Sequence, residues 1–251
     1  MIRDFTSTRL YLRAPLAEGA TVDLDPKQAN YLTNVLRLKD GDTVLVFNGA
    51  DGEWRAELSA SGKKQWRLAA VVATRPQPPP SDLHYVFAPL KHARLDYMVE
   101  KAVEMGAGRL TPVVTRHTQV TRVNHDRMEA NAIEAAEQCG ILSLPAIDDP
   151  VALPALLDQW PTNRRLIFCD ENTEGDPVAQ LSALAPSPLA VLIGPEGGFA
   201  DDERDLLRSR PYVTAISLGP RILRADTAAV AALAVVQAVL GDWQNPIAAP
   251  V

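Results

Sequence analysis

The chain changes its hydrophobic rhythm once. Over residues 1–75 short apolar runs dominate: Thr43–Phe47 and Glu53–Leu58 flank Asn48-Gly49-Ala50-Asp51-Gly52, and Trp66–Thr74 forms a further run. Alternating positions predict half-buried strands, and the Asn-Gly and Asp-Gly steps predict a hairpin turn between the first two. A short helix is predicted over Lys27–Leu36. Pro76-Gln77-Pro78-Pro79-Pro80-Ser81 follows, with four prolines in six residues. Such a segment continues neither strand nor helix and predicts a stiff spacer between domains at 1–75 and 82–251.

Beyond it, apolar runs alternate with helical periodicity. His84–Leu90, Leu110–Thr115, Leu166–Cys169 and Leu189–Ile193 read as buried strands. Leu95, Met98, Val99, Ala102 and Val103 fall on one helical face that Gly106 stops. Asp126–Cys139, Val151–Trp160 and Asp226–Leu240 predict further helices. This alternation predicts βα units and a mostly parallel sheet. The last helix has one polar side chain in its body, Gln237, so it either fills the core or meets a second subunit.

Composition adds little until charge is divided along the chain. With 251 residues, 47% apolar and 22% charged, the sequence has an ordinary globular balance and room for a sizeable core. The start, Met1-Ile2-Arg3-Asp4, has no apolar signal run, and the longest apolar stretch, Ala228–Leu240, is too short to cross a bilayer. The expectation is a cytoplasmic protein with no membrane contact. Cys139 and Cys169 form no CxxC pair, and His84, His92, His117 and His125 lack ligand spacing, so no metal is expected. The net charge of −6 is uneven: residues 1–80 balance at +2, 81–130 at +1 and 131–251 at −9. A polyanionic partner would favour the amino-terminal half.

The chemistry concentrates between Leu189 and Thr227. One strand ends in Gly194-Pro195-Glu196-Gly197-Gly198-Phe199, and a second segment reads Ser217-Leu218-Gly219-Pro220-Arg221-Ile222-Leu223-Arg224-Ala225-Asp226-Thr227. Both turn on glycine and proline and run into helices, building a pocket rim where α/β sheets bind ligands. Glycines at such turns, Gly197 among them, are expected to take positive φ. Glu196, Asp201, Asp202 and Glu203 crowd the following helix start and would repel a diphosphate, so a neutral or cationic ligand fits better. A tight connection without a ligand is the plainer alternative.

These paired motifs resemble the RsmE family of SPOUT-class methyltransferases, which methylate N3 of a uridine in small-subunit (16S) ribosomal RNA. The resemblance extends to Asn30–Arg37, Ala88–Lys91, Lys101–Gly106 and Ala135–Gln138. It departs at Asn30, where the family carries histidine, and at Ile141, where it carries arginine. It implies an α/β fold with a trefoil-knot methyltransferase domain preceded by a small PUA-like β-barrel that binds RNA. It also implies S-adenosyl-L-methionine as cofactor, ribosomal RNA or the small ribosomal subunit as partner, and a homodimer. By carry-over, Ile193, Gly194, Glu196, Gly197, Gly198, Ser217, Leu218, Gly219, Ile222, Leu223 and Thr227 line the cofactor, with Asp170 and Glu171 as a third wall. Arg224 is the expected catalytic cation, beside a uracil carbonyl, or else pairs with Asp226 or Glu196. Arg9, Arg37, Lys91, Arg116 and Arg122 are the expected RNA contacts, or else solvated surface cations. Two rivals are an RNA-binding module without catalysis and a nucleotide-phosphate enzyme using Gly194–Gly198.

Overall fold

The computed structural model describes residues 4, 6–62, 65–91 and 93–244. Met1–Arg3 and His92, singled out above, lie outside the described residues. Contacts divide the chain into two units. The first holds residues up to Pro80 together with Ala136–Leu144; the second holds Ser81–Ala135 and the described residues from Pro145 onward.

In the first unit, β1 (Arg9–Tyr11), β2 (Thr21–Asp23), β3 (Thr43–Phe47), β4 (Glu53–Gly62) and β5 (Gln65–Arg75) form one sheet in the order β1-β3-β4-β5-β2. The β1–β3 pair is parallel and the rest are antiparallel. Val44, Val46, Leu58 and Leu68 project from it onto Leu10, Leu12 and Leu32, making the core. Each such buried side chain contributes about 1.5–3 kcal/mol.

The helix expected over Lys27–Leu36 is two pieces: α1 (Pro26–Asn30), then a π-helical turn over Tyr31–Val35. Asp25 caps α1 by accepting from the Lys27 and Gln28 amides, and Pro26 suits a first-turn position. The ladder widens where the Thr33 hydroxyl donates to the Ala29 carbonyl at 2.8 Å. The widened turn closes with the Leu36 amide on the Tyr31 carbonyl at 2.9 Å.

The second unit contains β6 (His84–Phe87), α2 (Ala93–Glu104), β7 (Arg109–Val114), the start of α3 (His125–Cys139), β8 (Ala146–Ile147), β9 (Val151–Ala152), α4 (Leu153–Asp158), β10 (Arg165–Cys169), α5 (Pro177–Ser182), β11 (Leu189–Ile193), α6 (Asp201–Arg208), β12 (Val213–Ile216) and α7 (Ala225–Val239). The sheet order is β12-β10-β11-β6-β7-β8, parallel at every pair, with β9 also parallel to β7. One face buries Val86, Phe168 and Leu192 against Leu157, Phe199 and Leu207.

Residues 151–160 do not form one helix. Val151 and Ala152 pair with Val113 and Val114, and α4 starts only at Leu153, next to Pro154. Proline is favoured in a first helical turn and disfavoured deeper in a helix, so the start shifts to it.

The last helix is not buried on every side. Ala229, Ala232, Leu233 and Val236 are buried, while Val230, Ala231, Ala234 and Val235 are half-buried. Gln237 faces inward and donates to the Met105 carbonyl at 2.7 Å, which satisfies its amide away from water. Although α7 follows the edge strand β12, it packs on α2, α5 and β11. Helix α7 thus returns into the body of the second unit.

Candidate cofactor and RNA site

The sheet order sets the site. From β6 the chain moves to β7 on one side; from β11 it moves to β12 on the other. The carboxyl ends of the neighbours β6 and β11 therefore form a switch point, where open parallel sheets offer a crevice. The same order puts the end of β10 between those of β11 and β12. Asp170 and Glu171 thus lie between the two glycine turns.

The first turn is braced from all sides. A methyl group on Gly194 would stand 2.5 Å from the Phe199 ring, which packs edge-on against Phe168 with centroids 5.0 Å apart. His117 Nδ1 lies 3.1 Å from both the Gly197 and Gly198 carbonyls. Glu203 accepts from the Ala200 amide at 3.0 Å and the Arg116 amide at 2.8 Å. The expectation of positive φ at Gly197 is corrected: the left-handed residue is Gly198, at +67°. A side chain at 198 would also meet Glu171 and Arg204, at 2.9 and 3.2 Å. At Gly197 the constraint is proximity instead, with His117 Cβ 3.3 Å from an added methyl.

The second turn is open. Ser217 is buried and its hydroxyl accepts from the Gly219 amide at 3.2 Å. Gly219 has φ of +97°, and an added methyl there would meet nothing within 4 Å. Leu218 and Leu223 are half-buried, Thr227 is exposed, and Ile222 is 92% exposed. Arg224 is the exposed N-cap residue of α7. Among the described residues it makes no ion pair. The carboxylates considered as its partners are approached by Arg94 instead, with Glu196 at 3.4 Å and Asp226 at 3.9 Å. Arg94 thereby links the two turns.

Two readings change here. Asp170 is no ligand wall: its side chain is fully buried, held by Arg204 at 3.3 Å and Arg208 at 2.6 Å. Glu171 remains partly exposed and pairs with Arg204. The carboxylates at the start of α6 are not bare either. Asp202 pairs with Arg116 at 2.5 Å, Asp201 with Arg204 at 3.6 Å, and Glu196 with Arg94. Their repulsion of an anion is weaker than the sequence alone suggests. Cys169 ends β10 beside these groups, but burial pushes its thiol up to about 12, far from a thiolate nucleophile.

The expected RNA contacts scatter in their fates. Arg9 is corrected: it is only 5% exposed, and its Nε donates to Glu53 at 2.9 Å. Arg75 grips the same carboxylate at 2.6 and 2.9 Å. Burial opposes the Glu53 charge, yet hydrogen bonds from Arg75, Arg9 and Thr74 hold the carboxyl below its ordinary range. Breaking a buried pair costs several kcal/mol, about 3–5, so Arg9 is not released to a polyanion. Arg37 is exposed and takes φ of +61°, unusual for a side chain with a Cβ. In the second unit Lys91 and Arg122 are exposed and line one cavity, whereas Arg116 is tied to Asp202. Arg94, Arg204 and His117 escaped sequence reading. A basic residue in the first helical turn after a strand end was the available signal for Arg94.

Comparison with known proteins places this geometry. The family described as RNA methyltransferase domain matches residues 77–237, and that described as RNA methyltransferase PUA domain matches residues 24–68. A ribosomal RNA small subunit methyltransferase E from Rickettsia conorii is 33% identical over 243 residues, 96% of this chain and 98% of that protein. The structure of a ribosomal RNA small subunit methyltransferase E from Neisseria gonorrhoeae bound to S-adenosyl methionine matches with a TM-score of 0.84 at 25% identity, covering 95% of this chain and 100% of that one. A Legionella pneumophila structure with bound cofactor SAM matches with a TM-score of 0.80 at 30% identity, covering 94% and 99%.

A parallel sheet with a re-entrant last helix, two glycine turns at one end and a PUA-like unit before it defines the SPOUT class of trefoil-knot RNA methyltransferases. Within that class the assignment is specific. The chain belongs to the ribosomal RNA small subunit methyltransferase E family.

Proposed function

We propose that this chain methylates N3 of a uridine in small-subunit ribosomal RNA with S-adenosyl-L-methionine. The observation that carries this reading is likeness along nearly the whole chain to a family member solved with S-adenosyl methionine bound. The residues present suit that group. Ile222, almost fully exposed, and the half-buried Leu223 offer apolar surface for an adenine face. Gly219, with nothing within 4 Å of an added methyl, leaves the backbone of the second turn open to a ligand edge.

Bound there, S-adenosyl-L-methionine would supply an electrophilic methyl to the N3 electron pair, with the thioether sulfur as its leaving group. N3 of uridine carries a proton that must leave. Arg224, exposed and unpaired among the described residues, is the group to stabilise negative charge on the flanking carbonyls. Arg37, Lys91 and Arg122 are positioned as exposed cations for RNA phosphates. The half-buried face of α7, with Val230, Ala231, Ala234 and Val235, is the surface for a homodimer, and its small side chains allow close helix approach. The enzyme works in the cytoplasm, where ribosomes are.

The test is direct. Purified protein, S-adenosyl-L-methionine and small subunits or their RNA from cells lacking this enzyme are incubated, and nucleosides are resolved by mass spectrometry. N3-methyluridine should accumulate with time. Its absence, with cofactor binding intact, would leave an RNA-binding protein without this activity. Sedimentation at micromolar concentration tests the dimer.

A further inference from the structure

The switch point carries a second concavity. A cavity of about 220 Å³ opens beside the first turn of α2. Leu95, Val123 and Met128 give it apolar walls, and Lys91 and Arg122 bring two cations to it. Asp96 and Arg127 also line it but satisfy each other, at 2.5 and 2.8 Å, and Asn131 adds a bond to Asp96 at 2.8 Å. The charge left to the cavity is positive.

Its place ties it to the cofactor rim. Arg94, the neighbour of Leu95, reaches Glu196 and Asp226. His117, in the same loop as Arg122 and Val123, sits on the Gly197 and Gly198 carbonyls. One helix turn and one loop thus form both the cavity and a brace of the rim. The volume equals roughly seven waters at about 30 Å³ each. Drug-sized ligands and cofactors need about 300 Å³ or more. A single ring system fits.

Aliphatic walls with cations at the edge match an unstacked nucleotide: the base lies against apolar surface and the phosphate meets lysine and arginine. We propose that this cavity holds one unstacked pyrimidine nucleotide of the RNA substrate. The proposal rests on the RNA methyltransferase reading and adds to it a substrate subsite outside the cofactor turns. The base enters between Leu95, Val123 and Met128, and Lys91 and Arg122 take its phosphates.

The sequence supplies a probe, since the chain has four methionines. With methyl-labelled methionine, uridine monophosphate titrated into the full-length protein should shift the Met128 methyl resonance saturably and leave Met105 unmoved. Guanosine monophosphate and inorganic phosphate should act at least tenfold more weakly. Val123→Trp fills the cavity and should abolish the Met128 response. It should also lower kcat/KM for small-subunit RNA at least tenfold, with affinity for S-adenosyl-L-methionine within twofold of wild type. Arg122→Glu leaves the cavity open and should weaken the nucleotide at least tenfold, which decides the matter if the tryptophan variant misfolds. A Met128 resonance unmoved by uridine monophosphate on the order of 10 mM would overturn the proposal, as a dissociation constant beyond that is negligible binding. So would an equal response to phosphate alone. A wild-type protein that never methylates RNA would count against the enzymatic reading, while the nucleotide titration would still decide the cavity.

Discussion

The two glycine turns share a sequence logic and differ in mechanics. Gly194–Phe199 is packed from within by Phe199 and from outside by His117, and Glu203 holds the helix start behind it. Ser217–Arg224 has open space at Gly219, an isoleucine almost fully in solvent and, in Arg224, an arginine that makes no ion pair among the described residues. A turn held by its own fold is ready before any ligand arrives. A turn with exposed apolar surface and free charge gains its partners from outside the chain. Under the proposed function, the difference suits the first turn to preorganised support and the second to contacts with cofactor and RNA.

The sharpest way to break that contrast is to overfill the braced turn. Gly194→Val puts carbon inside the Phe199 contact and should cost on the order of 3 kcal/mol of stability, with cofactor binding lost. Urea unfolding beside calorimetric titration measures both. A stable variant with intact affinity would show the first turn to be as loose as the second.

Next is the charge on the open turn. Arg224→Lys keeps one positive charge but loses the planar fork, and should lower kcat on the order of a hundredfold at nearly unchanged cofactor affinity. Raising pH should restore part of the rate, because the uracil N3–H then ionises with less assistance. Single-turnover rates across pH give the answer; weakened cofactor binding with a flat pH response would make Arg224 a support of the turn.

A smaller effect is expected at Gly219. Gly219→Ala meets no steric obstacle and pays only for a left-handed backbone, about 1 kcal/mol. The open turn is free to relax without ligand, so global stability should barely change, while cofactor affinity falls about fivefold, the equivalent of restoring that strain on binding. Equal losses at Gly194 and Gly219 would erase the contrast between the turns. The smallest change belongs to the link between them. Arg94→Ala removes two half-exposed pairs longer than 3.3 Å, worth up to about 1 kcal/mol together, so cofactor affinity should fall fivefold or less. The loss should shrink further at high salt.

Much of the second unit was legible because its signals are local. Leu95, Met98, Val99, Ala102 and Val103 mark a buried helical face by spacing alone, and α2 buries four of them fully. Gly106, expected to stop that helix, takes φ of +83°. Val151 misled because helix and parallel strand both accept a short apolar run. Its pairing with Val113 depends on a strand far back in the chain. The left-handed glycine was misassigned by one position for a related reason. Gly197 and Gly198 are equivalent in the string, and only the folded backbone, with Gly198 at φ of +67°, distinguishes them.

The sequence by itself determined the class of protein. Two ordered motifs do so by their resemblance to a known family, while the change of hydrophobic rhythm and the proline segment mark the two domains, because strand period, helix period and turn chemistry are properties of neighbouring residues. Tertiary structure alone decided which charges are free. Arg9 reads like any surface arginine until Glu53, 44 residues away, is seen to hold it together with Arg75. Arg224 has two candidate carboxylate partners in the sequence, Glu196 and Asp226, until Arg94 is seen at both of them. A charge's availability is set by what lies within a few ångströms of it, and those neighbours come from distant parts of the chain.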